Sequence, residues 1–202
     1  MVTIGLLSKN VDGEICMLQP VDVNIAYRLL ATGPVIMVSS AYEGRKGVMT
    51  CAWNMPLDYN PSKVALVMSK GGNTRTLLEK SGEFVINIPG KDLLSKVMQA
   101  GSCHGNEVDK FQKFGIEEMM AEKTGSPCVK GCLGYLECRL IPEPEIADKY
   151  DLILGEVVAA YAEDQVFADG RLLCADSKCS VLHHVSGSVF VLDGELIQGG
   201  FD

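Results

Sequence analysis

From Val35 onward the chain runs apolar for short, strand-length stretches and breaks at Gly, Pro or Asn. Val35-Ile-Met-Val-Ser-Ser40, Gly47-Val-Met-Thr-Cys-Ala-Trp53 and Lys63-Val-Ala-Leu-Val-Met-Ser69 are rich in β-branched residues, and this pattern predicts strands of a meander. Glu43 to Gly47 makes its first turn. Further strands are predicted at Phe84–Ile88, stopped by Pro89-Gly90, and at about Leu133–Leu140, Leu152–Tyr161 and Val189–Leu192. Helical spacing is rarer. It occurs over Val23–Thr32, where Ile25, Ala26, Leu29 and Leu30 recur before Gly33-Pro34, over Thr74–Ser81 up to Gly82, and over 91–101, where Leu93, Leu94, Val97 and Met98 share a face. Gly101 to Phe111 reads as a polar loop leading into a short helix, placed either as a lid or as plain surface. Antiparallel strands with a few inserted helices and no βαβ alternation predict an α+β, mainly antiparallel β-barrel rather than a doubly wound sheet. Neither a Walker loop nor a GxGxxG turn is present, which argues against nucleotide binding in either style.

The 202 residues suit one domain spanning 1–202, and with 47% hydrophobic residues the chain can remove roughly 70% of its unfolded surface from water. Lys and Arg number 18 against 26 Asp and Glu, a net charge of −8 with the acids scattered. Such a surface repels polyphosphate, so nucleic acid is not an expected partner and an anionic ligand needs a local cationic pocket. Met1 to Glu14 lacks the apolar core of a signal peptide, and runs such as Val35–Val38 and Val64–Met68 are too short to span a bilayer. The expectation is a cytoplasmic protein without a membrane partner. Its eight cysteines (16, 51, 103, 128, 132, 138, 174 and 179) are then expected as free thiols. Cys128-x3-Cys132 and Cys174-x4-Cys179 lack the tight C-x2-C spacing of zinc sites and read as packed small hydrophobes. A thiol or metal protein using Cys128, Cys132 and Cys138 stays as the weaker alternative.

The segment Ser69-Lys-Gly-Gly-Asn-Thr-Arg-Thr-Leu-Leu-Glu-Lys-Ser81 joins a strand end, two glycines and a helix start. Asn73 or Thr74 is expected as N-cap, with Thr76 and Glu79 as an alternative capping box. Arg75 puts a cation in the first turn, against the helix dipole at a cost of a few tenths of a kcal/mol, which a bound anion would offset. Helix amides, the hydroxyls of Thr74 and Thr76 and the charges of Lys70 and Arg75 describe a phosphate site, and an ordinary capped surface helix is the other reading. Thr50-Cys-Ala-Trp-Asn54 ends a strand with small and polar residues and carries the single tryptophan. It either lets a flat ring approach the backbone or simply ends a strand on a core Trp. Cys51 has no nearby His and reads as an inert thiol. His183 and His184 are neighbours on a strand, so one is expected buried and hydrogen-bonded and the other exposed.

Together, Pro34-Val-Ile-Met-Val-Ser-Ser40, Met49-Thr-Cys-Ala-Trp53, Pro61, Thr74 with Glu83-Phe-Val-Ile-Asn-Ile88, Val108-Asp-Lys-Phe111 and Leu154-Gly-Glu-Val157 resemble, in order and spacing, the flavin reductase-like FMN-binding proteins, nearest to flavoredoxins. The resemblance runs from about Ala31 to Leu192. It implies a homodimeric FMN-binding split β-barrel with the flavin near the subunit interface. Thr50, Cys51, Ala52, Trp53 and Asn54 would surround the ring. Ser69, Lys70, Asn73, Thr74, Arg75 and Thr76 would take the ribityl chain and phosphate, with Ser39 and Lys110 matched more loosely. No catalytic side chain is implied. The implied function is an FMN oxidoreductase that passes electrons between NAD(P)H or a redox protein and an acceptor. The alternative is a non-catalytic FMN electron carrier for a partner protein. Many family members that oxidise NAD(P)H have His before the Asp that leads into the Gly-Glu-Val strand, whereas this chain has Tyr150 before Asp151, which favours the flavoredoxin-like reading.

Overall fold

The β-branched runs fold into seven strands of one antiparallel sheet in the computed structural model: β1 (Ile36–Tyr42), β2 (Arg45–Cys51), β3 (Asn54–Tyr59), β4 (Ser62–Val67), β5 (Glu83–Ile88), β6 (Gly134–Ile141) and β7 (Leu152–Ala162). Their order is β2-β1-β5-β6-β7-β4-β3. The structure describes residues 20–31, 33–106, 108–164, 166–168, 170–172 and 180–192, together with the backbone of 7–9 and 15–17. Cys174, Cys179 and the side chain of Cys16 lie outside them.

The two edge strands are consecutive in the chain, and Ala52 and Trp53 carry it from one edge to the other. The Val67 amide donates to the Trp53 carbonyl at 3.0 Å, which extends the β3–β4 pairing into this link, and a sheet whose two edges are joined by two residues curls into a split β-barrel. Both faces of the sheet are covered. Ile36, Val38, Leu66, Phe84, Ile86, Cys138 and Ile153 pack with Leu78 in one core. Val35, Met37, Val48 and Val85 point the other way, against Val97, Ala100 and Phe111. Alternate residues of one strand thus enter two cores, which is why β1 reads as continuously apolar.

Among the described residues four α-helices surround the barrel: α1 (Asn73–Ser81), α2 (Leu94–Gly101, entered through a 3-10 turn over Lys91–Leu93), α3 (Lys110–Phe114) and α4 (Pro144–Tyr150). The expected helix at Val23–Thr32 is a 3-10 helix over Val23–Leu29 with no buried residue, because its apolar side chains meet no core. The first turn is tighter than expected. Only Glu43 and Gly44 connect β1 to β2, at φ 48° and 75°, the mirror-image turn whose twist suits a hairpin. β3 gave no sequence signal because Pro56 and its exposed side chains mark an edge strand, and the pairing is irregular between Pro56 and Asp58. Val189–Leu192 is a strand, paired with Leu182–Ser186 in a separate hairpin. The two histidines there correct the expectation of one buried and one exposed: both are half-buried, and His184 Nε2 lies 3.1 Å from the Gly187 carbonyl. Among the described residues no helix is long and apolar enough to cross a membrane.

Candidate functional site

β4 ends at Val67, and the chain turns through Ser69–Gly72 before α1 begins. Gly71 takes φ +76°, a conformation that favours glycine. The N-cap is Gly72, one residue before the expected Asn73 or Thr74, and no side chain caps the helix. The first bond of the helix runs from the Thr76 amide to the Gly72 carbonyl at 2.9 Å. The amides of Asn73, Thr74 and Arg75 are therefore first-turn donors without intrahelical acceptors. The expected capping box does not form either. Thr76 Oγ1 donates back to the Gly72 carbonyl at 3.1 Å, and Glu79 accepts from Arg75 Nε at 2.7 Å.

Asn73 and Thr74 border a cavity of about 780 Å³. One end is polar, walled by Ser69, Lys70, Gly71, Gly72, Asn73 and Thr74. The other end is Met49, Thr50, Cys51, Ala52, Trp53 and Val67. There the Thr50 hydroxyl donates to the Val97 carbonyl at 2.5 Å, and the Cys51 thiol reaches the Trp53 carbonyl at 3.3 Å. Burial pushes the Cys51 thiol up to about 11, so at neutral pH it is a protonated wall group and no nucleophile. Trp53 is 50% exposed and lies edge-on to Tyr27, with ring centroids 5.4 Å apart, so it lines the cavity mouth instead of filling a core.

The third wall is the end of α2 at Ala100 and Gly101 and the loop that follows it to Asn106, with Lys110 of α3. Lys110 is 6% exposed and donates from Nζ to the Ala100 carbonyl at 2.5 Å. Burial lowers the pKa of this ammonium, and the nearby Cys103 acts in the opposite sense. Two asparagines tie the walls together. Asn106 Nδ2 donates to the Gly71 carbonyl at 2.9 Å, and Asn73 packs so tightly that a Cβ at Gly47 would stand 2.7 Å from its Nδ2 and one at Gly105 3.1 Å from its Cβ. Arg45 Nη2 donates to Asn73 Oδ1 at 3.2 Å from a neighbouring compartment.

Of the residues singled out from the sequence, Thr50, Cys51, Ala52, Trp53, Ser69, Lys70, Asn73, Thr74 and Lys110 meet around this one cavity. Four others do not. Ser39 is fully buried, donates to the Pro127 carbonyl and accepts from Asn87 Nδ2 at 2.9 Å. Asn54 turns its amide to the Pro34 carbonyl at 2.8 Å and lines an adjoining apolar pocket. Thr76 bonds its own helix, and Arg75 is buried under α4. Sequence reasoning left the Gly101–Asn106 wall open between lid and surface. Its signal was a polar run bracketed by glycines, whereas Met49 and Val67 gave none.

An uncapped helix start beside Lys70 offers an anion site, and the opposite end offers small and aromatic walls to a flat ring. Cys128, Cys132 and Cys138 do not meet in one place. Cys128 and Cys132 lie in one core and Cys138 in the other, on opposite faces of the sheet, and among the described residues no three His, Cys, Asp or Glu side chains gather to hold a metal.

The flavin reductase like domain model matches residues 27–183. The uncharacterized protein YddH of Escherichia coli is 38% identical over 184 residues, covering 90% of this chain and 97% of the relative. A flavin reductase of Pseudomonas putida is 22% identical over 134 residues, covering 66% of this chain and 75% of the relative. Among solved structures, the FMN-binding domain of a flavin reductases-like enzyme from Shewanella baltica superposes with a TM-score of 0.78 at 36% identity, covering 89% of this chain and 96% of that one. A flavoredoxin of Desulfovibrio vulgaris shares the fold at TM-score 0.71 and 22% identity, covering 84% and 91%. With the domain model spanning most of its length and this split barrel beneath it, the chain belongs to the flavin reductase-like domain family.

Proposed function

We propose that this protein binds FMN in the 780 Å³ cavity and acts as an FMN oxidoreductase, passing electrons between a nicotinamide or protein donor and an acceptor. The polarity gradient of the cavity carries the reading. Its size lies within the roughly 300–1,000 Å³ of small-molecule sites, and its wall combines the start of α1 with the small and aromatic residues of the β2–β3 link. The relative from Shewanella baltica is described as an FMN-binding domain, which supports the same cofactor here. FMN, when bound, supplies two-electron redox chemistry. The chain's own residues do the rest. The amides of Asn73 and Thr74 and the Lys70 ammonium would hold the phosphate. The backbone of Thr50–Trp53 would border the ring, and the Ala100–Asn106 wall would keep water from it. Cys51, neutral and packed, adds no proton transfer.

A flavin-titration experiment tests this directly. Apoprotein is expected to bind FMN stoichiometrically and retain visible flavin bands on gel filtration, while Thr74→Ala, which removes the hydroxyl beside those amides, weakens binding by about 1.5–3 kcal/mol, the worth of one hydrogen bond to a charged group. Absence of binding would overturn the reading.

The second reading, an electron carrier with little turnover of its own, draws on Tyr150. It is exposed at the end of α4 and forms no part of the cavity wall, so it supplies no nicotinamide contact there. Fast NAD(P)H oxidation with free FMN present would decide for the reductase. The buried free thiols Cys51, Cys128, Cys132 and Cys138 fit a reducing, cytoplasmic location. A homodimer fits the apolar edge formed by Met55, Leu57 and Tyr59 of β3 beside Trp53, all exposed.

A further inference from the structure

Asp151 is a non-glycine residue at φ 57°, where it caps the C-terminus of α4 in the left-handed conformation. Its bonds run to the segment before α1, far away in sequence. The Asp151 carbonyl accepts from the Met68 amide at 2.8 Å, and Asp151 Oδ1 accepts from the Lys70 amide at 3.2 Å and from Arg75 Nη1 at 2.7 Å. Arg75 is only 3% exposed, and all three of its guanidinium nitrogens are bonded within the protein. Nη1 also donates to the Met68 carbonyl at 2.6 Å, Nη2 to the Ala147 carbonyl at 3.0 Å and Nε to Glu79 at 2.7 Å. One turn earlier on α4, Asp148 Oδ1 holds Lys70 Nζ at 2.9 Å. Neither Arg75, Asp148 nor Asp151 is part of the cavity wall, yet Ser69–Thr74, which they grip, is its polar end.

We propose that Arg75 and Asp151 are positioning residues: from beneath the cavity they hold the Ser69–Thr74 backbone open to a phosphate, and so set the preference for a phosphorylated flavin over an unphosphorylated one. This rests on the cofactor reading above. The physical case is preorganisation. Two glycines, Gly71 and Gly72, sit in this turn, and without an external clamp the ligand itself would have to order them. An arginine swung out to meet the phosphate would abandon several buried, charge-assisted bonds, the strong class of hydrogen bond. Kept in place, it leaves the neutral backbone amides of the turn to face the anion. The ring end is built by β2, the β2–β3 link and Val67, none of which is bonded to the side chains of Arg75 or Asp151, whose nearest grip on it is at Met68.

The test compares FMN and riboflavin affinities, read from quenching of flavin fluorescence, in the wild type, Asp151→Gly and Arg75→Lys. Glycine keeps the left-handed cap while removing the carboxylate, and lysine keeps the charge but cannot make the fork of bonds. Both variants are expected to lower the preference for FMN over riboflavin roughly tenfold, the equivalent of one charge-assisted bond, with riboflavin affinity unchanged. If Arg75→Lys loses the preference while Asp151→Gly keeps or strengthens it, the guanidinium meets the phosphate directly and the proposal is overturned. Equal losses for both flavins, or none for either, overturn it too, since the first is a general loss of structure and the second leaves nothing to position. Because riboflavin binding reports the fold, an Arg75→Lys chain that fails to assemble is recognised as such, and Asp151→Gly then decides. A wild type that binds FMN no better than riboflavin defeats the cofactor reading itself, before any variant is compared.

Discussion

Single atoms decide several features here. Cys51, Cys128 and Cys138 are buried thiols whose pKa burial raises, the first two to about 11 and the last to about 12. A thiol whose folded pKa exceeds its unfolded value near 9.0 stabilises the fold fully below that value and loses the contribution as pH climbs through the folded pKa. The thermal midpoint is therefore expected to stay flat up to about pH 9 and fall between about 9 and 11. Cys51→Ala should soften the fall by about 2–3 kcal/mol, measured by calorimetry across that range. Gly155 gives a second residue-level prediction. A Cβ there would stand 2.4 Å from Phe84 Cζ, itself in the barrel core. Gly155→Ala is expected to cost about 1–3 kcal/mol in urea denaturation through overpacking, and a wild-type midpoint would show that Phe84 can move aside.

At the scale of elements, a buried carboxylate organises a whole loop. Glu137 of β6 is fully buried and accepts the amides of Glu122, Lys123 and Thr124 at 2.7–2.8 Å, plus the Thr124 hydroxyl at 3.1 Å. Glu137→Ala would leave those donors without their acceptor at an expected cost of about 3 kcal/mol or more. Hydrogen exchange should then accelerate at 122–124 before it does in β6, whereas uniform protection would show that water replaces the carboxylate without loss. The start of α1 teaches a different lesson. Side-chain capping rules predicted Asn73 or Thr74, but a backbone glycine takes the cap, leaving both side chains to the cavity wall. A cap made by no side chain has no letter in the sequence. The strand centres of β1 and β5 were legible because each sends residues into both cores, and that of β4 because Val64, Ala65 and Leu66 are buried in a row; β3 was not, because Pro56 interrupts it and its alternating Met55, Leu57 and Tyr59 are exposed.

For the whole molecule, the apolar edge of β3 and the mouth of the cavity lie together, since Trp53 belongs to both the cavity wall and the link into β3. A second copy seated there would cover Met55, Leu57 and Tyr59, removing large side chains from water at about 25 cal/mol per Å². Light scattering at micromolar concentration is expected to give a dimer, and Leu57→Lys a shift toward monomer. A wild type that scatters as a monomer would count against this assembly.

The sequence by itself determined the antiparallel strand content, the two core-facing helices and the two segments, Thr50–Trp53 and Ser69–Thr74, that line the cavity. Local chemistry suffices for these, because strand period, glycine placement and helix starts depend on neighbours in the chain. Only the tertiary structure decided where the longer side chains turn. Arg75 points away from the cavity because Asp151 and Ala147 approach it from α4, and Ser39 is drawn into a buried bond with Asn87. The loop at 100–106 becomes a wall because Asn106 and Gly105 close on Gly71 and Asn73. Each of these outcomes is a bond between residues far apart in sequence, formed only once the barrel has brought them within reach.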